Sequence, residues 1–378
     1  MPEFTGALAR LRNLSAFARE FLGAPAEFSE PAVRAELFGR QRFEEHGRSL
    51  AKAQPILEER TARNSFFPRV DANIAALRRS FDYVVLTAKT GHYVTPAAEW
   101  LLDNFHLVEA QLQQIREGLP RRYYESLPKL AVPHLLGLPR VYGICWAYVA
   151  HTDSVLNVEL FSAYVGAYQE VSELRLSELW ALPTTLRVVL LENLRRMADS
   201  IAFSKVAREV AHAVWDQAGE LTEADLDTIV HAMEARHIQR AFLTQLWHRL
   251  PADAAPVFAL VPWMARHCPD GAALVTESQA SQVSANLTVS NIITMMRLIG
   301  QVDWVRIIEP LSHSLRELAT IPSYEQESEI TRKQVTHAME RLARRSGRSE
   351  HEVARQVVLA VRQHGDSAGS AAARTAGW

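Results

Sequence analysis

Cysteine is nearly absent: 378 residues hold two, Cys145 and Cys268, far apart and outside any CxxC or Cys/His spacing. This excludes a disulfide framework and a structural zinc site, and it fits a reducing compartment. Long apolar runs are missing as well. No uncharged apolar stretch approaches about 18 residues, so no segment reads as a membrane span. Arg10, Arg12 and Arg19 interrupt the first residues where a signal-peptide core would lie. Charge of one sign is not in excess either, since 41 Lys and Arg against 43 Asp and Glu leave a net charge of -2. Any charge-driven recognition is therefore local, and nucleic-acid binding is not expected. GxxxxGK[ST], GxGxxG, HExxH and GxSxG are all missing, which argues against the common nucleotide, zinc-protease and hydrolase sites.

What is present is helical periodicity. Hydrophobic residues make up 48% and charged residues 22%, the balance of a globular chain. Strand-like alternation bounded by hairpin turns is nearly absent, so the fold class is all-α, a multi-helix array or bundle. Leu8, Leu11, Leu14, Phe17 and Phe21 predict an amphipathic N-terminal helix. Val70, Ile74, Leu77, Phe81 and Val84 form a second stripe. Thr95 and Pro96 open a third helix carrying Leu101, Phe105, Val108, Leu112 and Ile115. Prolines 120, 128, 133 and 139 with Gly137 predict a long connection near 119–140, and helices resume at Val141. The apolar run Leu186 to Leu191, broken only by Arg187, predicts a central buried helix. Thr222 and Asp225 predict a capped helix start, and further helices are expected over 237–249, 282–299, 303–319, 327–346 and 350–363. The expected organisation is N-terminal helices over 1–60, a main helical domain over 61–250, a C-terminal subdomain over 251–363 and a flexible tail over 364–378.

Candidate chemistry is concentrated between Asp103 and Asn193. Asp103 and His106 share a polar helix face with Glu99, suiting either acid–base work or a solvated surface. Arg121, Arg122, Tyr123 and Tyr124, with Arg140 and Tyr142 within twenty residues, offer guanidinium forks and flat rings for an anionic, sugar-containing ligand. The same residues could instead pin two helices together. Trp146, His151 and Asp153 close the next helix, where His151 suits the C-terminal dipole and Thr152 or Asp153 could cap the helix that follows; no metal ligand set is formed. Trp180, Arg187 and Asn193 lie around the buried run. A buried Arg187 would need a carboxylate such as Glu178, and Glu192 can reach Arg195 or Arg196. Asp103, Glu178 and Glu192 could also converge as paired carboxylates of a glycan-active helical enzyme.

Longer strings are more specific. WLLDNFHLVEAQLQQIREGLPRRYYESLPKL (100–130), LPRVYGICWAYVAHTDS (138–154), LSELWALPTTLRVVLLENLRR (176–196), SQASQVSANLTVSNIITMMRLI (279–299) and THAMERLARRSGRSEHEVAR (336–355) strongly resemble the N-terminal region of bacterial cyclic β-1,2-glucan synthases. The resemblance covers roughly residues 60 to 362. It implies a cytoplasmic helical accessory region at the inner face of the inner membrane. In that family the region precedes a membrane-embedded glycosyltransferase using UDP-glucose, and further domains close the ring and control chain length. The expected partner is that transferase domain, in cis or in trans, with β-1,2-glucan as a possible ligand. UDP-glucose and a divalent metal are expected only in the transferase domain, with no cofactor in this chain, and membrane contact only through segments outside it. No catalytic role of the family transfers to a residue here. The competing readings are a stand-alone glycan-active enzyme and an interaction scaffold.

Overall fold

The computed structural model describes residues 7, 10–24, 30–57, 66–89, 94–250 and 260–365. Among them are seventeen α-helices and no strand. In chain order they are α1 Ala16–Gly23, α2 Arg40–Ala53, α3 Phe66–Lys89, α4 Pro96–Gly118, α5 Arg121–Ser126, α6 Arg140–His151, α7 Val158–Gln169, α8 Leu176–Asp216 and α9 Glu223–Glu234. They continue with α10 Gln239–Arg249, α11 Leu260–His267, α12 Gly271–Gln301, α13 Val305–Leu311, α14 His313–Leu318, α15 Pro322–Gln326, α16 Glu329–Ser346 and α17 Glu350–Gly365. The all-α expectation holds, and strand-like pairing among the described residues is limited to the isolated bridges Ile56 with Leu130 and Lys129 with Pro139. The expected boundary at 60, the start of the expected C-terminal subdomain at 251, and the tail beyond 365 lie outside the described residues.

The chain forms two compact units, each assembled from three stretches. Unit 1 takes Met1–Val33, Pro68–Ala110 and Leu190–Thr294; unit 2 takes Arg34–Phe67, Gln111–Val189 and Met295–Trp378.

In unit 1 the predicted stripe of α3 is buried at Val70, Ile74, Leu77 and Val84, and Phe81 stacks on Phe105 of α4 at 3.6 Å. The second half of α8 presents Ala202, Val206, Ala207, Val210, Ala211 and Val214, side chains small enough for α9, α10 and α11 to bring Ile229, Phe242, Leu246 and Trp263 into one core. The N-terminal helix expected through Phe21 is interrupted. Asn13 sits at φ 67, a left-handed conformation asparagine tolerates, and Ser15 caps a new helix by accepting from the Ala18 N–H. Leu11 and Leu14 stay buried in the non-helical lead-in. Thr222 and Asp225 form the capping box the sequence predicts.

In unit 2, α6 is buried along almost its whole length and supplies Tyr142, Tyr148 and Cys145 to the core. α2 packs against α7 so closely that a Cβ on Gly47 would meet the Tyr164 carbonyl oxygen at 2.7 Å. The expected 303–319 helix is two helices. Ser312, two residues after Pro310, leaves helical geometry and caps α14 through the Leu315 N–H. The 119–140 connection is ordered and contains α5 and a 3₁₀ turn at Pro133–Leu135. It is tied down by the Leu130 N–H to Leu138 O, the Leu57 N–H to Lys129 O and the Ala131 N–H to Pro55 O.

Candidate functional site

The residues singled out between Asp103 and Asn193 separate into a buried structural set and an exposed set. Glu178 is fully buried and is gripped by Arg140 of α6, with Nε to Oε1 at 2.9 Å and Nη2 to Oε2 at 2.5 Å, while the Arg175 N–H adds a third bond at 3.0 Å. Arg140 also donates to Ser172 Oγ and to the Glu173 carbonyl. The expected pairing of Glu178 with Arg187 is therefore not made. Arg187 is half-buried, donates to Gln111 Oε1 at 2.9 Å, and burial lowers its pKa. The sequence does not distinguish the two arginines; the register of α6 against the start of α8 does.

Glu192 is 1% exposed and takes Arg69 in a bidentate grip at 3.0 and 2.5 Å; Arg196 Nη2 adds a bond at 2.8 Å, the predicted i,i+4 pair. Arg195 instead serves Asp199 and Glu30. With Asn73 Nδ2 also donating, at 3.3 Å, the Glu192 carboxylate accepts four hydrogen bonds, which fill its lone-pair sites and leave little for a general base. Asn193, also fully buried, accepts from the Val33 N–H at 2.7 Å and donates to the Val33 carbonyl, so its amide mimics a strand partner for the incoming chain. Asp103 and His106 lie on the exposed face of α4.

The basic–aromatic cluster divides in the same way. Tyr124 is buried and stacked on Phe66 at 4.1 Å, Tyr142 is buried edge-on to Phe66, and the Tyr123 hydroxyl donates to the Ser177 carbonyl. Burial pushes the Tyr123 and Tyr124 phenols well above their ordinary value. Arg121 and Arg122 are exposed, the former paired with Glu125 at 3.0 Å. Trp146 is half-buried against Tyr142, and Trp180 is 41% exposed. His151 stacks on Phe38 at 3.8 Å with Nδ1 at the Glu36 carbonyl. Asp153 does not cap the next helix. Asn157 does so, and Asp153 turns the chain at φ 48 and pairs with Arg34.

A sizeable polar concavity lies elsewhere, wholly within unit 1. It is a cleft of ≈ 1070 Å³ whose floor is one face of α8, with Lys205, Arg208, Glu209, His212 and Asp216 at helical spacing. Thr244, Gln245 and His248 of α10, Ser278, Gln279 and Gln282 of α12, and Tyr83, Leu86 and Thr87 of α3 also line it. Glu209 accepts from Ser15 Oγ at 3.0 Å and from the Tyr83 hydroxyl at 2.9 Å; burial first, and then the Glu209 charge and hydrogen bond, raise the Tyr83 phenol well above its usual range. Tyr83 stacks on Phe17 at 4.1 Å. Lys205 is held below its ordinary pKa by burial and by the Arg208 cation beside it, with Glu209 opposing. A smaller cavity of ≈ 630 Å³ also touches Tyr83; in its wall Asp199 accepts from Ser80 and Arg195, and Arg236 donates to the Leu22 and Ala24 carbonyls. The sequence reading stopped at Asn193 and missed the larger cleft. Its signal was the recurrence of ionisable residues every three to four positions on α8, straight after a buried apolar run, facing an α12 stripe of Ser and Gln.

No protein-family model matches the chain. Over 332 residues, 85% of its length, it is 35% identical to the cyclic beta-(1,2)-glucan synthase NdvB of Rhizobium meliloti (strain 1021). The match takes up 12% of that protein, so the chain corresponds to a small part of its relative. The resemblance carried by the strings at 100–130, 138–154, 176–196, 279–299 and 336–355 stands, and the chain is related to a segment of cyclic β-1,2-glucan synthase.

Proposed function

We propose that this chain is a helical accessory region of a cyclic β-1,2-glucan synthase, working at the cytoplasmic face of the inner membrane and supporting UDP-glucose-dependent polymerisation without carrying the transferase site. The observation that carries the reading is the match of 85% of this chain to 12% of NdvB. Two structural facts support it. Glu178 and Glu192, the acids a glycosidase-type mechanism would use, are each locked by an arginine fork. Among the described residues no helix is long and apolar enough to cross a membrane. In this reading the donor sugar and its divalent cation belong to the transferase part, and Arg121 and Arg122, exposed beside a rigid aromatic cluster, are the docking contacts.

The test is a synthase deleted for the segment matched here. Joining this chain back to the remainder should restore cyclic glucan, assayed from labelled UDP-glucose, whereas the isolated chain should form none. Turnover of UDP-glucose or of a β-1,2-glucan by the isolated chain would overturn the reading. A pure interaction scaffold would call for a fully packed 119–142 segment, whereas Tyr124, Leu127 and Tyr142 are buried and Arg121, Arg122 and His134 are exposed. It is distinguished by restored partner binding without any gain in glucan.

A further inference from the structure

The outward face of α16, in unit 2, carries positive charge that the fold itself does not use. Met339 and Ala343 are buried and mark the side on which the helix packs. Helical spacing puts Arg341 and Arg345 on the opposite side, with Arg344 beside them. Arg348 follows just past Gly347, whose φ of 68 ends the helix. Arg341, Arg344, Arg345 and Arg348 are all exposed, and no acid lies between Arg341 and Ser349. Among the described residues none of these arginines is in an ion pair; the pairs of α16 are made by Arg332, Lys333 and His337. The neighbouring carboxylates are occupied elsewhere. Glu329 takes Lys333 at 2.5 Å, Glu340 lies beside His337 at 3.5 Å, Glu350 accepts the Leu176 N–H at 2.7 Å and Glu352 the Ser349 N–H at 2.9 Å.

Helix stability does not account for the cluster. Arg344 and Arg345, in the last turn, complement the helix dipole, but Arg341 stands i,i+3 and i,i+4 from them, a like-charge spacing that weakens a helix. Arg348 precedes Ser349, which caps α17 through the Glu352 N–H, so it lies at the positive end of that dipole, where a cation is repelled. Apolar side chains share the exposure: Leu342 is 52% and Ile330 72% exposed. A basic helix face that also presents leucine and isoleucine matches an anionic bilayer. Such a surface attracts arginine through its charge and takes apolar side chains between its headgroups. A nucleic acid offers the charge without the apolar layer.

We propose that the outward face of α16 rests on an anionic lipid surface, with Arg341, Arg344, Arg345 and Arg348 against the headgroup phosphates and Leu342 inserted among them. Exposed guanidinium groups make charge-assisted bonds to phosphate oxygens, and the membrane's diffuse charge asks for no fixed geometry from them. The inference deepens the accessory reading and rests on its placement of the chain at the inner face of the membrane. It gives the chain a lipid contact of its own, beside the one expected through segments outside it.

Flotation of the full 378-residue chain with lipid vesicles tests it. Vesicles of equal parts phosphatidylglycerol and phosphatidylcholine should bind the chain at low salt, and vesicles of phosphatidylcholine alone should bind it at least about tenfold less. Added salt should release it, because the attraction is screened. Arg341→Gln with Arg345→Gln should cut binding to the anionic vesicles about twenty-fivefold, about fivefold for each cation lost, with the melting temperature unchanged or raised. Salt release of the unaltered chain is the readout if that variant fails to fold. Leu342→Gln should weaken binding about threefold or more. Arg341→Lys with Arg345→Lys should retain binding; a loss equal to that of the glutamine pair would mark a protein surface that reads guanidinium forks and would overturn lipid docking. The proposal is also overturned if neutral and anionic vesicles bind equally, if salt has no effect, or if the glutamine pair leaves binding unchanged. The two readings fail separately: a chain that floats yet restores no glucan to the deleted synthase keeps the lipid contact and loses the accessory role, and a chain that restores glucan without floating does the reverse.

Discussion

Replacing Arg140 with Met in unit 2 should uncouple a buried carboxylate from its counter-charge, and the size of the effect can be worked out from its contacts. Arg140 is 2% and Glu178 0% exposed, so neither end of the pair is relieved by water. Removing the guanidinium leaves Glu178 with the Arg175 N–H and strips the acceptors Ser172 Oγ and Glu173 O of their donor. Two charge-assisted bonds at about 1.5–3 kcal/mol each give about 3–6 kcal/mol, in line with the roughly 3–5 kcal/mol expected on breaking a buried pair. Hydrogen exchange of the α6 amides reads this locally. Where exchange runs through opening of unit 2, the rate should rise by about two to four orders of magnitude. The double variant Arg140→Met, Glu178→Leu should recover most of the loss, because two apolar side chains leave no orphaned charge. An increase below about tenfold in the single variant, or a double variant whose loss equals the sum of both, would refute the idea that this pair secures the α6–α8 contact.

Gly47→Ala should destabilise unit 2 by about 1–3 kcal/mol in chemical denaturation, because the new methyl meets backbone atoms of α7, which cannot swing aside; an unchanged midpoint would show that α2 and α7 separate easily. Tyr124→Phe should be neutral or gain up to about 1 kcal/mol, since among the described residues its buried hydroxyl has no partner, and a loss measured by thermal melting would contradict this. His46 carries a pKa lowered by burial and by His151, so the unfolded chain binds its proton more readily. Its contribution to stability is present above the ordinary histidine value and falls as pH drops through that value toward the folded one. His46→Phe should flatten the acid side of a stability-versus-pH curve, and an unaltered curve would remove His46 from the cause. Arg121→Glu with Arg122→Glu should abolish glucan restoration in the rejoined synthase while leaving the melting temperature within about 2 °C, as expected for exposed charges. A comparable loss in both measurements would make these residues structural.

Much of the architecture was legible because it rests on local rules. The 3.6-residue stripes of α3 and α4, the Thr222 capping box and the buried Leu186 to Leu191 run each follow from a few neighbouring residues. Breaks were read less well. Asn13 and Ser312 each break helical geometry where the apolar pattern continues, because local side-chain chemistry and, at Ser312, a nearby proline override periodicity. The candidate site was harder still. Arg140 and Arg187 look alike in sequence, and only the packing of α6 decides which one receives Glu178. The α8 cleft needs residues from four helices far apart in the chain, and no spacing rule connects Thr87, Lys205, His248 and Gln279.

The threefold segmentation of each unit has a kinetic meaning. Unit 1 waits for residues up to Thr294 before its last stretch exists, and unit 2 needs chain beyond Met295, so on a translating ribosome neither can complete its core until its third stretch has emerged. Long-range closures of this kind favour slow folding, with early helices exposed to chaperones in the interval. No contiguous cut through the chain yields either unit whole, so tests of the α16 face and of the Arg140 pair belong on the intact polypeptide.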